Sequence, residues 1–471
     1  MRTVVLLLFG LTLPTFGSEE AFNPATFYAT HCAACHGVDL QGASAGSLID
    51  DTFLYGRLEN QHRRNILYGI PGTDMIGWQA LLSNREASAL VDYIFAKPEL
   101  AGSTSKPLPP ELATEQTALR FEAWISEGLD IPWGLEFTGP NSALVTERQG
   151  SLRVITDGQL DPLPVHGLPL TYVHADGGMM DLTLDPDYAN NGWIYLGHAH
   201  AIGDPTDRNS PAMTRVIRGR IRNHTWVDQE VIFQVTDDLH HASPVRWGCR
   251  FIWDSAGNLI FTIGDRNRAE ESQDPGKPSG KIYRIRPDGS IPPDNPFIDV
   301  TGALPQVYTL GNRNAQGLSY HPLTGELWAS EHGPMGGDEL NVIVSGTNYG
   351  WPIATFGRGY DNSTVSTQTT APHVRAPIHQ WTPSVAICPI LFYTGSAIPD
   401  WHGDLLLGSL AMEGLYRFET EGQTITHQEI ILRNHGRVRD LKTGPDGALY
   451  VVFNSPDRIV RVTAPSADLV Q

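Results

Sequence analysis

Two clusters of chemically able residues stand far apart in a chain of 471 residues. The first is Cys32-Ala33-Ala34-Cys35-His36. Two thiols at C-x-x-C spacing add across two haem vinyl groups, and the adjoining imidazole then ligates the iron. The same spacing serves a redox dithiol, a zinc half-site or a disulfide. The histidine directly after the second thiol favours haem, and no second Cys pair completes a zinc set. The second cluster runs from Tyr308 to Trp351, where two Gly- and Asn-rich loops separate short strand-like runs. One loop holds Arg313 and Asn314. The other holds His332, Gly333, Pro334, Asp338 and Glu339. A guanidinium, an amide, an imidazole, two carboxylates and Gly-relaxed backbone suit a flat polyanion and a hard cation. Such residues also build ordinary turns; two such turns in series, with Arg, His and Asp left over, point to a site.

The haem motif needs a second axial ligand some tens of residues on. Met75 lies in the Gly-rich run ILYGIPGTDMIGWQA, and His62 is its competitor. A thioether ligand raises the iron potential, as an electron acceptor requires. The segment Asn84 to Phe95 predicts an amphipathic helix with Leu90, Tyr93 and Ile94 on one face. The order of motif, methionine and closing helix resembles class I c-type cytochromes, and we assign residues 18–97 to such a module, with covalent haem c.

Charged residues make up 18% and hydrophobic residues 41%, the balance of a globular protein. A net charge of −19 argues against a nucleic-acid partner, because nothing offsets phosphate repulsion. Residues 1–17, MRTVVLLLFGLTLPTFG, have the pattern of a cleaved secretory signal. No later run is long and apolar enough for a membrane helix, so an exported, periplasmic, soluble protein is expected. Residues 98–117 are rich in Pro, Gly, Ser and Thr and are read as a linker.

From residue 118 to 466 short β runs alternate with Asp, Asn, Pro and Gly turns. A strand–turn–strand unit begins at Gly134, Asp181, Phe251 and Gly317, loosely at Asp404, and again at Asp440. Six copies predict an all-β six-bladed propeller behind the all-α cytochrome module.

The runs GNRNAQG, EHGPMGGDE and NYGWP resemble the soluble glucose/sorbosone-type aldose dehydrogenases, quinoproteins that hold pyrroloquinoline quinone (PQQ) through Ca2+. The resemblance covers about Trp133 to Val462 and implies roles for matching residues. Arg313 would polarise the quinone carbonyl, with Asn314 beside it, and His332 would stack on the ring. Gly333 and Pro334 would offer carbonyls to the bridging Ca2+, and Asp338 and Glu339 would serve a second calcium site. Arg437 and Arg439, which alternate along an extended segment, would face PQQ carboxylates. Asp176 would meet a polyol, and Asp265 would orient the catalytic base. Two positions depart from the family pattern. The base position, a histidine in relatives, is Arg246, which cannot accept a proton. Ala411 stands where some relatives place a PQQ-binding lysine. His240 and His241 lie just upstream of Arg246 as substitute bases. Cys249 and Cys388 either pair or stay as free buried thiols.

The expected function is oxidation of an aldose-type sugar or related alcohol by PQQ and Ca2+, with electrons passing to the tethered haem and on to a periplasmic acceptor. The alternative is a diverged propeller that binds calcium, PQQ or a partner without turnover.

Overall fold

The computed structural model describes residues 22–45, 48, 59–70, 73–96, 105–361 and 363–465. The expected signal sequence, residues 1–17, lies outside them, as do residues 97–104 of the linker region.

Six antiparallel sheets make up the large domain. Their first strands are Pro132–Gly139, Met179–Leu184, Phe251–Trp253, Ala315–Tyr320, Ile387–Phe392 and Arg437–Thr443, and we number the blades 1 to 6 in that order. Each blade buries its faces against the next. Leu144 and Leu152 of blade 1 share a core with Leu182 and Leu196 of blade 2. Tyr195 and Val216 meet Phe251 and Tyr283, and Ile260 and Ile282 meet Leu327 and Ala329. Trp328 and Leu340 meet Ile387 and Leu407, and Leu406 and Leu415 meet Val438 and Val451. Tyr450 and Val452 of blade 6 then pack on Leu135 and Val145 of blade 1. The ring therefore closes through apolar contacts, each fully buried aliphatic side chain contributing about 1.5–3 kcal/mol.

The looser copy at Asp404 is the second and third strand of blade 5, Leu405–Ser409 and Gly414–Glu421. Its first strand, Ile387–Phe392, reads ICPILF. Pro389 at its centre is what disguises it, because proline usually marks an edge or a break. The ladder accommodates it with an irregularity between the pairs Ile387–Ser409 and Ile390–Leu407.

Part of the expected linker belongs to the propeller. Strand Glu111–Ala113 pairs with Ala118–Ile125, which pairs with Arg458–Thr463 on the outer side of blade 6. Ser105 Oγ donates to the Ser455 carbonyl, and Lys106 N–H donates to the Asn434 carbonyl. The Pro-rich composition hides this because Leu112 and Leu119 supply the burial while their neighbours stay polar.

The described part of the haem module contains α1 (Pro24–His31), α2 (Ala33–His36), α3 (Glu59–Tyr68) and α4 (Asn84–Phe95). Ser83 and Glu86 form a reciprocal capping box at the start of α4, which fixes where it begins. Ala87, Leu90, Val91 and Ile94 are its buried face, and Tyr93 is half-buried against Tyr28.

Arg250 sits at the propeller axis, 4% exposed. Its Nη1 lies 3.5 Å from Asp181 and 3.3 Å from Asp440, and its Nε donates to the Gln316 carbonyl at 2.7 Å. It also meets Cys388 Sγ at 3.6 Å, donates to the Arg439 carbonyl and stacks on Trp133 at 4.5 Å. These partners come from all five other blades. Removing one side of a buried ion network costs about 3–5 kcal/mol, because the partner charges stay buried unpaired. Arg250→Met is expected to lower stability by about that amount, read as a lower urea midpoint at unchanged slope.

Candidate active site

A cavity of about 270 Å3 opens at the end of the axis where first strands begin and second strands end. Trp133, Asn314, Gln316, Ala386, Arg437 and Arg439 come from first strands or the residues just before them. Arg148, His332, Leu410 and Asn454 come from the ends of second strands or just beyond. Asp176 and Arg246 to Gly248 stand in the loops that lead into blades 2 and 3.

Six of the residues singled out from sequence line it: Asp176, Arg246, Asn314, His332, Arg437 and Arg439. Arg437 and Arg439 project from one strand into the cavity, as their alternation requires. Arg439 is held over Trp133 at 4.3 Å and donates to Asn454 Oδ1 at 3.2 Å. Burial lowers its pKa to about 10, so the guanidinium remains charged. Asn314 Oδ1 accepts from Gly248 N–H at 3.1 Å and from Gln316 at 3.2 Å. Gly248 has φ +81°, and a Cβ there would lie 2.4 Å from the Thr262 carbonyl, so only glycine brings this turn so close. His332 lines the cavity with its Nε2 buried and unpartnered. Burial, then Arg313 and Arg439, push its pKa down to about 3. It is a neutral imidazole.

Arg246 is at the cavity wall, and its charge is already committed. Its Nη1 donates to both Asp265 oxygens, at 3.1 and 2.9 Å. Asp265, fully buried, also accepts from Trp351 Nε1 at 2.9 Å and from Asn267 N–H at 2.9 Å. Asp265 thus holds the guanidinium of Arg246, the residue that the family resemblance sets at the position of the base. The loop before it is pinned by Arg266, which stacks on Trp247 at 3.1 Å and donates to the Ser243 and Val245 carbonyls.

Neither substitute histidine reaches the cavity. His241 Nε2 is 3.0 Å from Glu271 Oε2, and His240 Nδ1 is 3.1 Å from the Thr236 carbonyl. The one carboxylate among the lining residues is Asp176, whose Oδ2 accepts from Arg246 N–H at 3.3 Å.

Arg313 is not among the lining residues, and its Nη1 donates to the carbonyls of His332, which is, and of Gly333. The Gly333 oxygen expected to meet Ca2+ therefore has a cation beside it already. Asp338 is fully buried and accepts from Gly333 N–H at 2.8 Å, Ser384 Oγ at 2.8 Å and Ile387 N–H at 3.2 Å. Glu339 stands directly opposite Glu331 across two strands, a like-charge pair that is destabilising without a counter-ion. Burial, then Glu331, raises the Glu339 pKa to about 8. Burial alone outweighs the Arg313 and Asn312 contacts and raises Glu331 to about 7. Among the described residues no three His, Cys, Asp or Glu side chains close around a metal. The carboxylates fit a hard cation in kind, and such a cation would need main-chain oxygens and water to complete its shell.

In the haem module Cys32 and Cys35 are not joined to each other by a disulfide, and Met75 lies with Phe27, Tyr68 and Trp78 at the edge of the small core. Ile76 is 62% exposed beside them. This uncovered apolar rim fits a porphyrin face. His62 is buried, and the His36 charge bears on it, so it remains close to the motif. Cys249 and Cys388 are both buried and free.

Arg148, Trp133, Trp247, Gln316 and Asn454 were not singled out from sequence. Their shared signal is position, at the start of a first strand or the end of a second, and it becomes visible only once all six blades are in register.

A propeller with an arginine-lined axial cavity, behind a C-x-x-C-H module, defines a two-part oxidoreductase. The chain belongs to the glucose/sorbosone dehydrogenase family, whose model matches residues 129–461. Residues 19–94 match the model for subunit III of cbb3-type cytochrome c oxidase. The chain is 34% identical to the aldose sugar dehydrogenase YliI of Escherichia coli over 334 residues, 70% of this chain and 88% of that one. It is 26% identical to quinoprotein glucose dehydrogenase B of Acinetobacter calcoaceticus over 439 residues, 76% of this chain and 91% of that one. The crystal structure of the soluble aldose sugar dehydrogenase of Escherichia coli in its apo form superposes with a TM-score of 0.69 at 32% identity, covering 74% of this chain and 100% of that one. The chain is a sugar-oxidising, electron-transferring protein.

Two outcomes test the site. The folded, metal-free chain keeps the Glu339 proton up to pH about 8, whereas the unfolded chain loses it near 4.5. The stability held below this window is therefore lost as pH rises through it. In chelator the urea midpoint should fall between pH 5 and pH 8, and Ca2+ should restore it at pH 8 far more than at pH 5. In the ferric haem protein, Met75→Ala should remove the sulfur-to-iron charge-transfer band while His62→Ala leaves it; the absorption spectrum decides.

Proposed function

We propose that this chain is a periplasmic quinohaemoprotein that oxidises an aldose-type sugar or related alcohol with PQQ and Ca2+ and passes the electrons to its own haem c. The carrying observation is the charge of the cavity. Arg148, Arg246, Arg437 and Arg439 surround it, and Asp176 is its only acidic lining residue. Such a wall suits a flat tricarboxylate, and arginine pairs with carboxylates bidentately. The name of the Acinetobacter relative, a quinoprotein, supports the same cofactor. Export follows from the pattern of residues 1–17 and from the haem motif.

When bound, PQQ supplies a two-electron acceptor for the substrate hydrogen. Arg437 and Arg439 would hold its carboxylates, and His332, neutral, would stand beside it without adding charge. Arg246 and Asp265 neutralise one another, so neither takes the hydroxyl proton. We assign that proton to a carboxylate oxygen of Asp176, the one carboxylate among the lining residues. The bidentate Arg246 pair fixes the loop that presents it.

PQQ with Ca2+ should bind tightly and lose affinity in chelator, followed by its absorbance. With sugars and alcohols supplied in turn, haem reduction should follow. Asp176→Asn should slow it by about two to four orders of magnitude, the usual worth of a general base. The His240/His241 double Ala variant should match wild type. An Arg246→His variant should gain on simple aldoses. No PQQ binding would remove the quinoprotein reading. Binding without reduction by any substrate would assign a sensing role instead, which the committed Arg246–Asp265 pair favours. Full activity in Asp176→Asn would place the base elsewhere.

A further inference from the structure

The haem module meets the propeller at the rim of the catalytic cavity. A narrow crevice is lined by Arg64, Asn65, Gly69 and Ile70 on one side and by Met335, Gly336, Pro383 and Ser384 on the other. The propeller half of this seam continues the site. Met335 follows Gly333 and Pro334 directly, and Ser384 Oγ donates to both oxygens of Asp338. Met335 also exchanges backbone hydrogen bonds with Arg358, at 2.9 and 3.3 Å, tying the seam to the loop that carries Tyr360. Arg64 itself donates from Nη2 to Asn65 Oδ1 at 3.4 Å, within the haem module.

The haem half of the seam continues the Met75 loop. Ile70 N–H donates to the Met75 carbonyl at 2.9 Å. Trp78 N–H and Gln79 N–H donate to the Ile66 and Leu67 carbonyls in the last turns of α3. Gly69 has no room for a side chain, since a Cβ would lie 2.6 Å from the Met75 carbonyl and 2.8 Å from Gly77 N. The loop expected to carry the axial sulfur therefore lies one backbone hydrogen bond from residues that touch the propeller.

We propose that this seam, with Gly69–Ile70 against Met335–Gly336 and Arg64 beside them, is the port through which electrons pass from the cavity to the haem. The inference rests on the quinohaemoprotein reading above. Reduced PQQ gives up two electrons in two separate steps. Each step converts one ferric iron to ferrous, and the two protons go to solvent. Between the steps an external one-electron acceptor reoxidises the haem. Because the two redox centres share one chain and one packed seam, transfer needs no diffusional encounter.

The test uses the full-length haem protein loaded with PQQ and Ca2+. Three quantities are read: the rate of haem reduction after sugar is added, sugar-dependent reduction of a small soluble dye, and amide hydrogen exchange across residues 333–337 without sugar. Arg64→Glu should slow haem reduction at least ten-fold, leave dye reduction unchanged and speed exchange across 333–337. Arg64→Ala should do the same to a smaller degree, and an unaltered haem spectrum shows that the module is folded. Haem reduction at the wild-type rate in Arg64→Glu, with exchange unchanged, overturns the port. Faster exchange with undiminished haem reduction also overturns it, because the contact would then be structural only. If wild type reduces no dye with any sugar, the dehydrogenase reading itself fails, which is a different result from either of these.

Discussion

The propeller is organised by one buried guanidinium. Arg250 draws a group from every other blade to the axis, and its two carboxylate partners each do a second job. Asp181 accepts from Phe251 N–H at 2.8 Å, and Asp440 accepts from Leu135 N–H at 3.0 Å. These bonds tie the first strand of one blade to the first strand of another, so the axial charges also set how far each strand slides along its neighbour. Apolar packing between blades tolerates small slips, whereas a buried ion network does not. The cavity lies directly above this hub. Its walls are the residues that the hub leaves at the strand ends.

Local sequence carried much of this, and its failures have physical causes. The helix Asn84–Phe95 was legible because its cap and its apolar face agree. The six-fold repeat was legible from turn chemistry, and Arg437 and Arg439 from strand alternation. Blade 5 was misread because Pro389 sits inside its first strand. The strand Glu111–Ala113 is hidden by the Pro-rich run before it, and the strand it pairs with, Ala118–Ile125, joins the sheet only through Arg458–Thr463 at the other end of the domain. Arg148 and Gln316 were missed because nothing in their immediate neighbourhood distinguishes a strand end that faces the axis from one that faces solvent. Arg313 donates to the His332 and Gly333 carbonyls, contacts that its own stretch of sequence does not announce.

The site is also a place where the chain tolerates disfavoured charge. Four arginines face one cavity in a protein of net charge −19. A short distance away Glu331 and Glu339 stand opposite each other. Neither arrangement is one that folding alone would select, since each keeps like charges together in partly desolvated surroundings. Local conflicts of this kind are expected where a protein binds something of the opposite sign. An anion and a cation would relieve the two conflicts separately, and the loop from His332 to Asp338 runs between them.

The closing blade has a consequence for how the molecule is made. Its outer strands, Glu111–Ala113 and Ala118–Ile125, precede all the other blades in the chain, and its inner three, from Arg437 to Thr463, come last. During synthesis the outer pair must wait, with one edge unsatisfied, until nearly the whole chain has emerged. The propeller therefore stays an open arc until its end, and its first and last strands reach their final relation only when Arg458–Thr463 is laid against Ala118–Ile125.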